Sequence, residues 1–337
     1  MSKVIKKILI FGYFGFGNLG DELILLSLIK NLEQMGNFSI SVLSANPLKT
    51  SEEFKVKAIK RNNVFSVIKE IFNNDILLGA GGLLQDKTSK KSILYYLGLI
   101  FLGKLFGKKV ILFSQGIGPI NFFLNRWLAK KVLNKVDLIT LRDRGSFSEL
   151  KKIGVGIKLI VTGDAVYGLN FPKYKRRLHS HFRVGIVLRQ FKNYKFFVKE
   201  IQEVYSELVK FRRVEFIFFS FHLSKDGVFE GRTIVKSDIK ELIPKIASLD
   251  MIVGARYHSL VLASIFNIPF IGINCDEKIR NFCDFFKVEC LNLRKNDFKK
   301  RLKSSIIKYM NKKVRYDITE VKRKVKESFK LIKGEVM

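Results

Sequence analysis

Residues 9–22 read LIFGYFGFGNLGDE and decide how the first part of the chain folds. The run before them, KVIKKILI at 3–10, has the apolar character of a buried strand. Gly15, Gly17 and Gly20 form a G-x-G-x-x-G turn, and leucine and isoleucine residues at helical spacing follow it as far as Gly36. The stretch therefore predicts a strand, a tight glycine turn and a helix, which together open an α/β domain.

A glycine turn of this kind is also found in dinucleotide-binding loops. Those loops need an Asp or Glu about 20 residues further on, at the end of the second strand, to bind the ribose. The corresponding stretch here is SISVLSANP at 39–47, and it contains no acid. The sequence therefore argues against an NAD enzyme and leaves the chemistry of the glycine turn open.

Strand-like and helix-like segments alternate along the rest of the chain. The chain has 337 residues, of which 47% are hydrophobic, and this is enough for two ordinary domain cores. A polar, basic stretch at 171–182 divides the pattern into two series of strands and helices. We expect two tandem doubly wound, Rossmann-like domains at 1–170 and 183–300, joined by a linker at 171–182 and followed by C-terminal helices at 301–337.

Charge limits the possible partners. The net charge of +32 favours an anionic partner: nucleic acid, an anionic membrane surface or a phosphorylated substrate. The chain has no recognisable nucleic-acid module, so we do not expect nucleic acid to bind.

Three cysteines, Cys275, Cys283 and Cys290, form neither a disulfide framework nor a metal motif. The N-terminus has no signal-peptide pattern, and we expect a cytoplasmic location.

The most apolar segment is SILYYLGLIFLGKLFGKKVILF at 92–113. Lys104, Lys108 and Lys109 interrupt it, so its uncharged part is shorter than the about 20 residues of a spanning helix. One interpretation is a buried helix followed by a strand. The other is a helix whose exposed face touches an anionic bilayer. We favour the first.

Polar and glycine residues recur where the predicted strands end. In open parallel sheets, ligands bind at the carboxyl ends of the strands. Arg142, Arg189 and Arg256 lie at three such ends, and three arginines suggest a small ligand with two anionic groups. Alternatively, the three arginines form salt bridges with neighbouring aspartates. Arg256 and His258 lie in ARYHSLVLASIFNIP at 255–269, at the start of an apolar helix, where charge and helix dipole both favour an anion.

Taken together, the strand-end motifs resemble those of the polysaccharide pyruvyl transferase family. The resemblance covers residues from about 8 to 285 and is carried by the motifs GYFGFGNLGDE at 12–22, GAGGLLQDKTS at 79–89, SQGIGPI at 114–120, LRDRGS at 141–146, TGDAVY at 162–167, ARYHSL at 255–260 and CDEKIRNF at 275–282. It is strongest to the branch that pyruvylates N-acetylmannosamine in cell-wall polysaccharide. The resemblance implies a GT-B-like fold and the formation of a pyruvate ketal on a sugar from phosphoenolpyruvate, without a metal or organic cofactor.

This resemblance and the strand-end positions together predict the site residues. We expect His258 to act as general acid or as a phosphate clamp, and Asp21 to orient or deprotonate an acceptor hydroxyl. Asp21 could equally be an acid that favours the dipole of the first helical turn. The predicted donor-binding residues are Arg256, Arg189, Lys278 and Ser259. The predicted acceptor-binding residues are Tyr13, Gly17, Asn18, Asp86, Gln115 and Arg142.

The resemblance also implies a lipid-linked acceptor. The high positive charge would then fit peripheral docking on the inner face of the cell membrane. Two other functions stay open from the sequence. One is a GT-B glycosyltransferase that uses a nucleotide sugar, and the other is a non-enzymatic nucleic-acid-binding protein, which is suggested by charge alone.

Overall fold

The computed structural model describes residues 5–87, 90–174, 180–190, 194–211, 213–222, 226, 234–235, 238–292, 297–310 and 312–336. The chain forms two compact units. The first unit comprises residues 1–170 and 319–337, and the second comprises residues 171–318. Residues 88–89 of the motif at 79–89 and residues 175–179 of the predicted linker lie outside the described residues.

The first unit alternates strands and helices. Its elements are β1 (Lys6–Phe11), α1 (Leu19–Met35), β2 (Phe38–Ser44), α2 (Pro47–Phe54), β3 (Lys57–Lys60), α3 (Val64–Asn73), β4 (Ile76–Ala80), α4 (Lys90–Leu105), β5 (Lys109–Gln115), α5 (Phe123–Leu133), β6 (Leu138–Leu141), α6 (Arg144–Ile153), β7 (Leu159–Val161) and a 3₁₀ helix (Ala165–Gly168).

Its seven strands form one sheet in the order β3-β2-β1-β4-β5-β6-β7, and every neighbouring pair is parallel. The central strands are buried along most of their length because helices cover both faces, which is why they read as continuous apolar runs. The strand order reverses next to β1: β2 and β3 extend the sheet on one side of β1, and β4 to β7 extend it on the other. A ligand crevice is expected at this switch point, beyond the carboxyl ends of β1 and β4.

The second unit repeats this organisation. Its elements are β8 (Phe182–Val187), α7 (Tyr194–Phe211), β9 (Val214–Phe219), β10 (Ile234–Val235), α8 (Ile239–Ala247), β11 (Met251–Gly254), α9 (Tyr257–Ile265), β12 (Phe270–Ile273), α10 (Glu277–Phe285), β13 (Cys290–Leu291) and α11 (Phe298–Met310). The strand order is β10-β9-β8-β11-β12-β13, again all parallel, with the switch point between β8 and β11.

The predicted fold of two tandem doubly wound α/β domains is confirmed by these two sheets. The sequence patterns missed two strands, β3 and β10, which lie at the edges of their sheets and are only four and two residues long. Short edge strands bury little surface and therefore show no long apolar run.

The predicted C-terminal segment at 301–337 divides between the two units. α11 belongs to the second, whereas the last helix, α12 (Thr319–Val336), belongs to the first. Val325 and Phe329 of α12 are buried, and the ring of Phe329 lies 4.4 Å from that of Phe113 on β5. An apolar stripe at helical spacing thus attaches the end of the chain to the first sheet.

Residues 92–113 form most of α4 and, directly after it, β5. Tyr96, Leu97 and Ile100 of α4 are buried against the first sheet. Among the helices of the described residues, none is long and apolar enough to span a membrane.

Candidate functional site

The glycine turn after β1 is held in a conformation that ordinary residues avoid. Gly15 and Gly17 have φ angles of +75° and +69°, in the left-handed region where a side chain is strained. A Cβ at Gly15 would also lie 2.7 Å from the backbone nitrogen of Asn46, after β2. The turn then folds back on α1, since the Gly15 N–H donates to Oε1 of Glu22 over 2.8 Å. The glycines therefore allow the loop to pack closely against the end of β2 and the start of α1.

Glu22 is a buried acid that the sequence patterns did not single out. Its Oε2 atom has no hydrogen-bond partner among the described residues. Burial raises the pKa of Glu22 to about 8, although the hydrogen bond from Gly15 lowers it. Near neutral pH this carboxyl group is therefore mostly protonated and can donate a proton. In the sequence it looks like an ordinary acid of a first helical turn, which hides this property.

Asp21 lies at the switch point of the first sheet. Its side chain is buried, and Oδ2 accepts a hydrogen bond from Nδ2 of Asn18 in the glycine turn. A Cβ at Gly81, in the loop after β4, would lie 3.3 Å from Oδ1 of Asp21. The loops after β1 and β4 thus meet at Asp21, as expected for a ligand-binding edge.

Arg61 and three aromatic rings pack together at the glycine turn. Nη1 of Arg61 donates to the carbonyl of Gly12 over 3.0 Å, and the guanidinium lies 4.5 Å from the ring centre of Tyr95 and 5.0 Å from that of Phe16. Phe16 in turn stacks on Tyr13 at 4.0 Å. Cation–π contacts and stacking of this kind fix the turn and the predicted acceptor residue Tyr13. The sequence carried no signal for Arg61.

Gln115 is the last residue of β5, and Arg142 directly follows β6. Both residues therefore lie at the same edge of the sheet. Gln115 is fully buried, and neither polar atom of its amide has a hydrogen-bond partner among the described residues. A buried amide in this state is costly and suits a ligand contact. The guanidinium of Arg142 packs against Gly116 and forms ion pairs with Asp143 at 3.2 Å and Asp164 at 3.8 Å.

Asp86 has a structural role in this unit. Its carboxylate accepts hydrogen bonds from the backbone N–H groups of Asn121 and Phe122, both at 2.9 Å, and from Nδ2 of Asn125 at 3.2 Å. Burial raises the pKa of Asp86, but these hydrogen bonds outweigh it and lower the pKa below its usual value. Because both oxygens are engaged, we assign Asp86 to holding the turn before α5 rather than to binding the acceptor.

In the second unit, Arg256 is held by an acid that the sequence patterns missed. Nε of Arg256 lies 3.0 Å from Oδ1 of Asp226, and Nη2 contacts the same oxygen. The other oxygen of Asp226 accepts from the backbone N–H groups of Phe221 and His222, at 2.7 and 2.8 Å. Asp226 therefore joins the end of β9 to the start of α9 and orients the guanidinium.

His258 and Ser259 lie in the first turn of α9. The ring of His258 packs edge-on against Tyr257, with centroids 5.3 Å apart. Ser259 is fully buried, and its hydroxyl donates to the carbonyl of Arg256 over 2.6 Å. Ser259 therefore shapes the turn that presents Arg256, and we assign it to positioning rather than to direct donor contact.

Two further cations surround one aspartate at the end of β12. Oδ2 of Asp276 lies 3.5 Å from Nη1 of Arg189 and 3.6 Å from Nζ of Lys278. The thiol of Cys275 lies beside them, and burial raises its pKa. Arg189, Arg256 and Lys278 follow β8, β11 and β12, which are neighbours in the sheet, so three of the four predicted donor residues lie at one edge.

The three strand-end arginines do form the salt bridges that the alternative interpretation expected. Each of Arg142, Arg189 and Arg256 has a carboxylate partner. Among the described residues at the carboxyl edge of the second sheet, however, three cations pair with only two aspartates, Asp226 and Asp276. The N-terminus of α9 lies at the same edge and also attracts anions.

One cavity lies away from these residues. It has a volume of about 560 Å³ and is lined by residues that include His181, Tyr205 and Val214. Val214 begins β9, so the cavity is at the amino edge of the second sheet, opposite the predicted ligand edge. No cluster of His, Cys, Asp or Glu that could hold a metal ion occurs among the residues that the structure describes.

The model of the polysaccharide pyruvyl transferase family matches residues 18–277. No curated protein sequence matches the chain significantly.

Among solved structures, the UDP-N-acetylglucosamine 2-epimerase of Methanocaldococcus jannaschii is 13% identical, with a TM-score of 0.68 over 97% of this chain and 99% of that one. A putative enzyme of the same name from Listeria monocytogenes is 14% identical, with a TM-score of 0.66 over 100% and 98%. A spinosyn rhamnosyltransferase is 12% identical, with a TM-score of 0.55 over 97% and 96%. At these identities the likeness establishes the GT-B-like fold alone.

Proposed function

The chain belongs to the polysaccharide pyruvyl transferase family, and from this premise we propose that it forms a pyruvate ketal on a sugar with phosphoenolpyruvate as donor. The observation that carries the proposal is the family match over residues 18–277, which includes Asp21, Arg142 and Arg256. The cations at the carboxyl edge of the second sheet support it, because phosphoenolpyruvate carries a phosphate and a carboxylate on one small frame.

The reaction balances with groups that proteins supply. A proton adds to C3 of phosphoenolpyruvate, which makes C2 electrophilic, and two sugar hydroxyls form bonds to C2 as its bond to the phosphate oxygen breaks. One hydroxyl proton replaces the proton given to C3, and the other leaves with inorganic phosphate. The site must bind two anions, protonate one carbon and accept hydroxyl protons, and none of these steps requires a metal or organic cofactor.

We assign donor binding to the second unit. Arg256 and the first N–H groups of α9 suit one anionic group, and Arg189 and Lys278 suit the other. Asp226 and Asp276 hold the cations in place before the donor arrives, so the site loses little side-chain freedom on binding. His258 follows Arg256 by two residues and is proposed as the general acid, with a phosphate clamp as the other possible role.

We assign acceptor binding to the first unit. Asp21 is proposed to orient or deprotonate a sugar hydroxyl, and Asn18 holds its carboxylate. Tyr13, Gly17, Gln115 and Arg142 complete the proposed acceptor site at the same sheet edge. The proposed acceptor is N-acetylmannosamine of a lipid-linked cell-wall precursor, with the ketal bridging its 4- and 6-hydroxyls. Such an acceptor would place the enzyme in the cytoplasm, at the inner face of the cell membrane.

Phosphate release from phosphoenolpyruvate, measured with and without an N-acetylmannosaminide acceptor, tests the proposal. We expect release that depends on the acceptor, and Arg256→Ala should reduce it by at least about 100-fold, because the variant loses an anion contact and leaves Asp226 unpaired. Arg183→Ala is the matched control, since Arg183 begins β8 at the opposite edge of the same sheet and pairs with Glu215.

Equal loss of activity in both variants would contradict the site. Consumption of a nucleotide sugar without phosphate release would contradict the proposed reaction and favour a glycosyltransferase.

A further inference from the structure

An exposed apolar surface occurs at the start of α5. Phe122, Phe123, Leu124 and Trp127 are 43%, 83%, 60% and 49% exposed. They are consecutive or one helical turn apart, so they form one cluster, which we call the α5 apolar tip. Scattered apolar residues are normal on protein surfaces, but four large ones together mark a place of interaction.

The α5 apolar tip is held rigidly away from the core. The carboxylate of Asp86 binds the backbone of Asn121 and Phe122 and the buried side chain of Asn125. The Ile120 N–H donates to Glu149 over 3.0 Å, and Nη1 of Arg126 donates to the Ile120 carbonyl over 3.1 Å. Because the backbone on both sides is fixed, the apolar side chains cannot fold back to bury themselves. Surface loops held in this way commonly carry function.

The charge around the tip favours an anionic occupant. α5 itself carries Arg126, Lys130 and Lys131 and no Asp or Glu. Lys130 and Lys131 are exposed, three and four residues after Trp127, and therefore lie near its side of the helix. Aromatic side chains beside lysines match the interface of an anionic bilayer, where rings lie among the headgroups and ammonium groups bind their phosphates. A second copy of this basic surface would instead be repelled.

The position of the tip connects it to the proposed acceptor site. The turn before α5 follows the carboxyl end of β5, and the glycine turn and the loop after β4 lie at this same edge of the first sheet. A bilayer bound at the tip would therefore lie at the sheet edge where Asp21 and Gln115 are found.

We propose that the α5 apolar tip inserts into the headgroup region of an anionic membrane, with Lys130 and Lys131 binding lipid phosphates. Its link to a lipid-linked acceptor rests on the proposed function, but membrane binding itself does not. The exposed face of α4 has fewer large apolar residues, Leu94, Phe101 and Leu105, so we take α5 as the primary contact.

Trp127 is the only tryptophan in the chain and reports directly on this contact. We expect its fluorescence to shift to shorter wavelength with phosphatidylglycerol–phosphatidylcholine vesicles, to be quenched by brominated lipid, and to respond far less to pure phosphatidylcholine. Sedimentation with the anionic vesicles should weaken as salt rises from 0.05 to about 0.5 M. The double variant Phe123→Ser, Leu124→Ser should bind at least about tenfold more weakly.

Phe211→Ser is the matched control, because Phe211 is 84% exposed but belongs to the second unit. Equal vesicle binding by the double variant and the parent would overturn the proposal, as would binding without any change in Trp127 fluorescence. Conversion of a parent dimer to a monomer by the double variant, seen by analytical ultracentrifugation, would show a protein interface instead.

Phosphate release with a water-soluble acceptor separates this proposal from the proposed function. The double variant should keep this activity, because Phe123 and Leu124 are exposed and are not among the residues assigned to donor or acceptor binding. Loss of vesicle binding with retained activity is the expected result. Vesicle binding by a protein that never releases phosphate would instead refute the enzymatic function and leave the membrane contact intact.

Discussion

Replacing Glu22 by glutamine is expected to stabilise the protein increasingly as the pH rises from about 5 to about 8. Glutamine has nearly the same shape and keeps an oxygen for the Gly15 N–H, but it has no proton to lose. The unfolded chain releases the Glu22 proton near the ordinary value of 4.5, whereas burial raises the pKa of Glu22 in the folded protein to about 8. Between these values the folded state must retain a proton that the unfolded state has already given up.

The sign and size follow from linkage. A raised folded pKa contributes stability that is complete below the unfolded pKa and is lost as pH rises through the folded one. At about 1.4 kcal/mol per pH unit, the parent loses at most about 4 kcal/mol between pH 5 and pH 8 through this group, and the loss levels off above pH 8. The glutamine variant lacks this loss, so its advantage over the parent should grow by that amount.

Urea unfolding of both proteins at pH 5, 6, 7, 8 and 9 measures the difference. Glu33→Gln is the baseline for removing one negative charge from α1, since Glu33 is half exposed and pairs with Lys30. A difference between Glu22→Gln and the parent that stays constant from pH 5 to pH 9 would refute the burial argument.

Three other changes test separate parts of the structure. Gly15→Ala should lower the free energy of unfolding by about 2 kcal/mol or more, because a Cβ is strained at φ +75° and meets the Asn46 backbone; urea unfolding measures it, and a neutral effect would contradict the described turn. Asp226→Asn should raise the KM for phosphoenolpyruvate about tenfold or more with a smaller change in kcat, because Arg256 loses its positioning contact; an unchanged KM would argue against it. Asp86→Asn should destabilise the protein above about pH 5 and reduce its loss of stability on acidification, since a depressed pKa contributes stability that disappears as pH falls; unfolding curves at pH 3 to 7 that run parallel to those of the parent would contradict this.

The sequence predicts the positions of the strand-end arginines but only some of their partners. The positions of Arg142, Arg189 and Arg256 beyond strands could be predicted, because a strand and the residue after it are read from local apolar runs. Their partners could be predicted only in part. Asp143 and Asp276 occur in the same motifs as cations, but Asp226 is 30 residues from Arg256, beyond any local pattern.

The residues that hold the glycine turn and the turn before α5 show the same limit. Arg61 binds the Gly12 carbonyl across 49 residues, and Asp86 binds the Phe122 N–H across 36. Neither lies in a motif whose spacing specifies such a contact. Asp86 was predicted to bind the acceptor because it ends a strand motif, and the structure instead engages its carboxylate in a turn.

The sequence by itself determined the α/β class, the two series of strands, the glycine turn and the family, because these depend on local periodicity and short motifs. Tertiary structure alone decided that α12 returns to the first unit, that Glu22 is buried enough to hold its proton near neutral pH, and that Asp226 orients Arg256. It also decided that Phe123, Leu124 and Trp127 stay in solvent although they are apolar. The physical reason is the same in each case: burial and pairing depend on which distant segments the sheet brings together, and a local pattern does not contain that information.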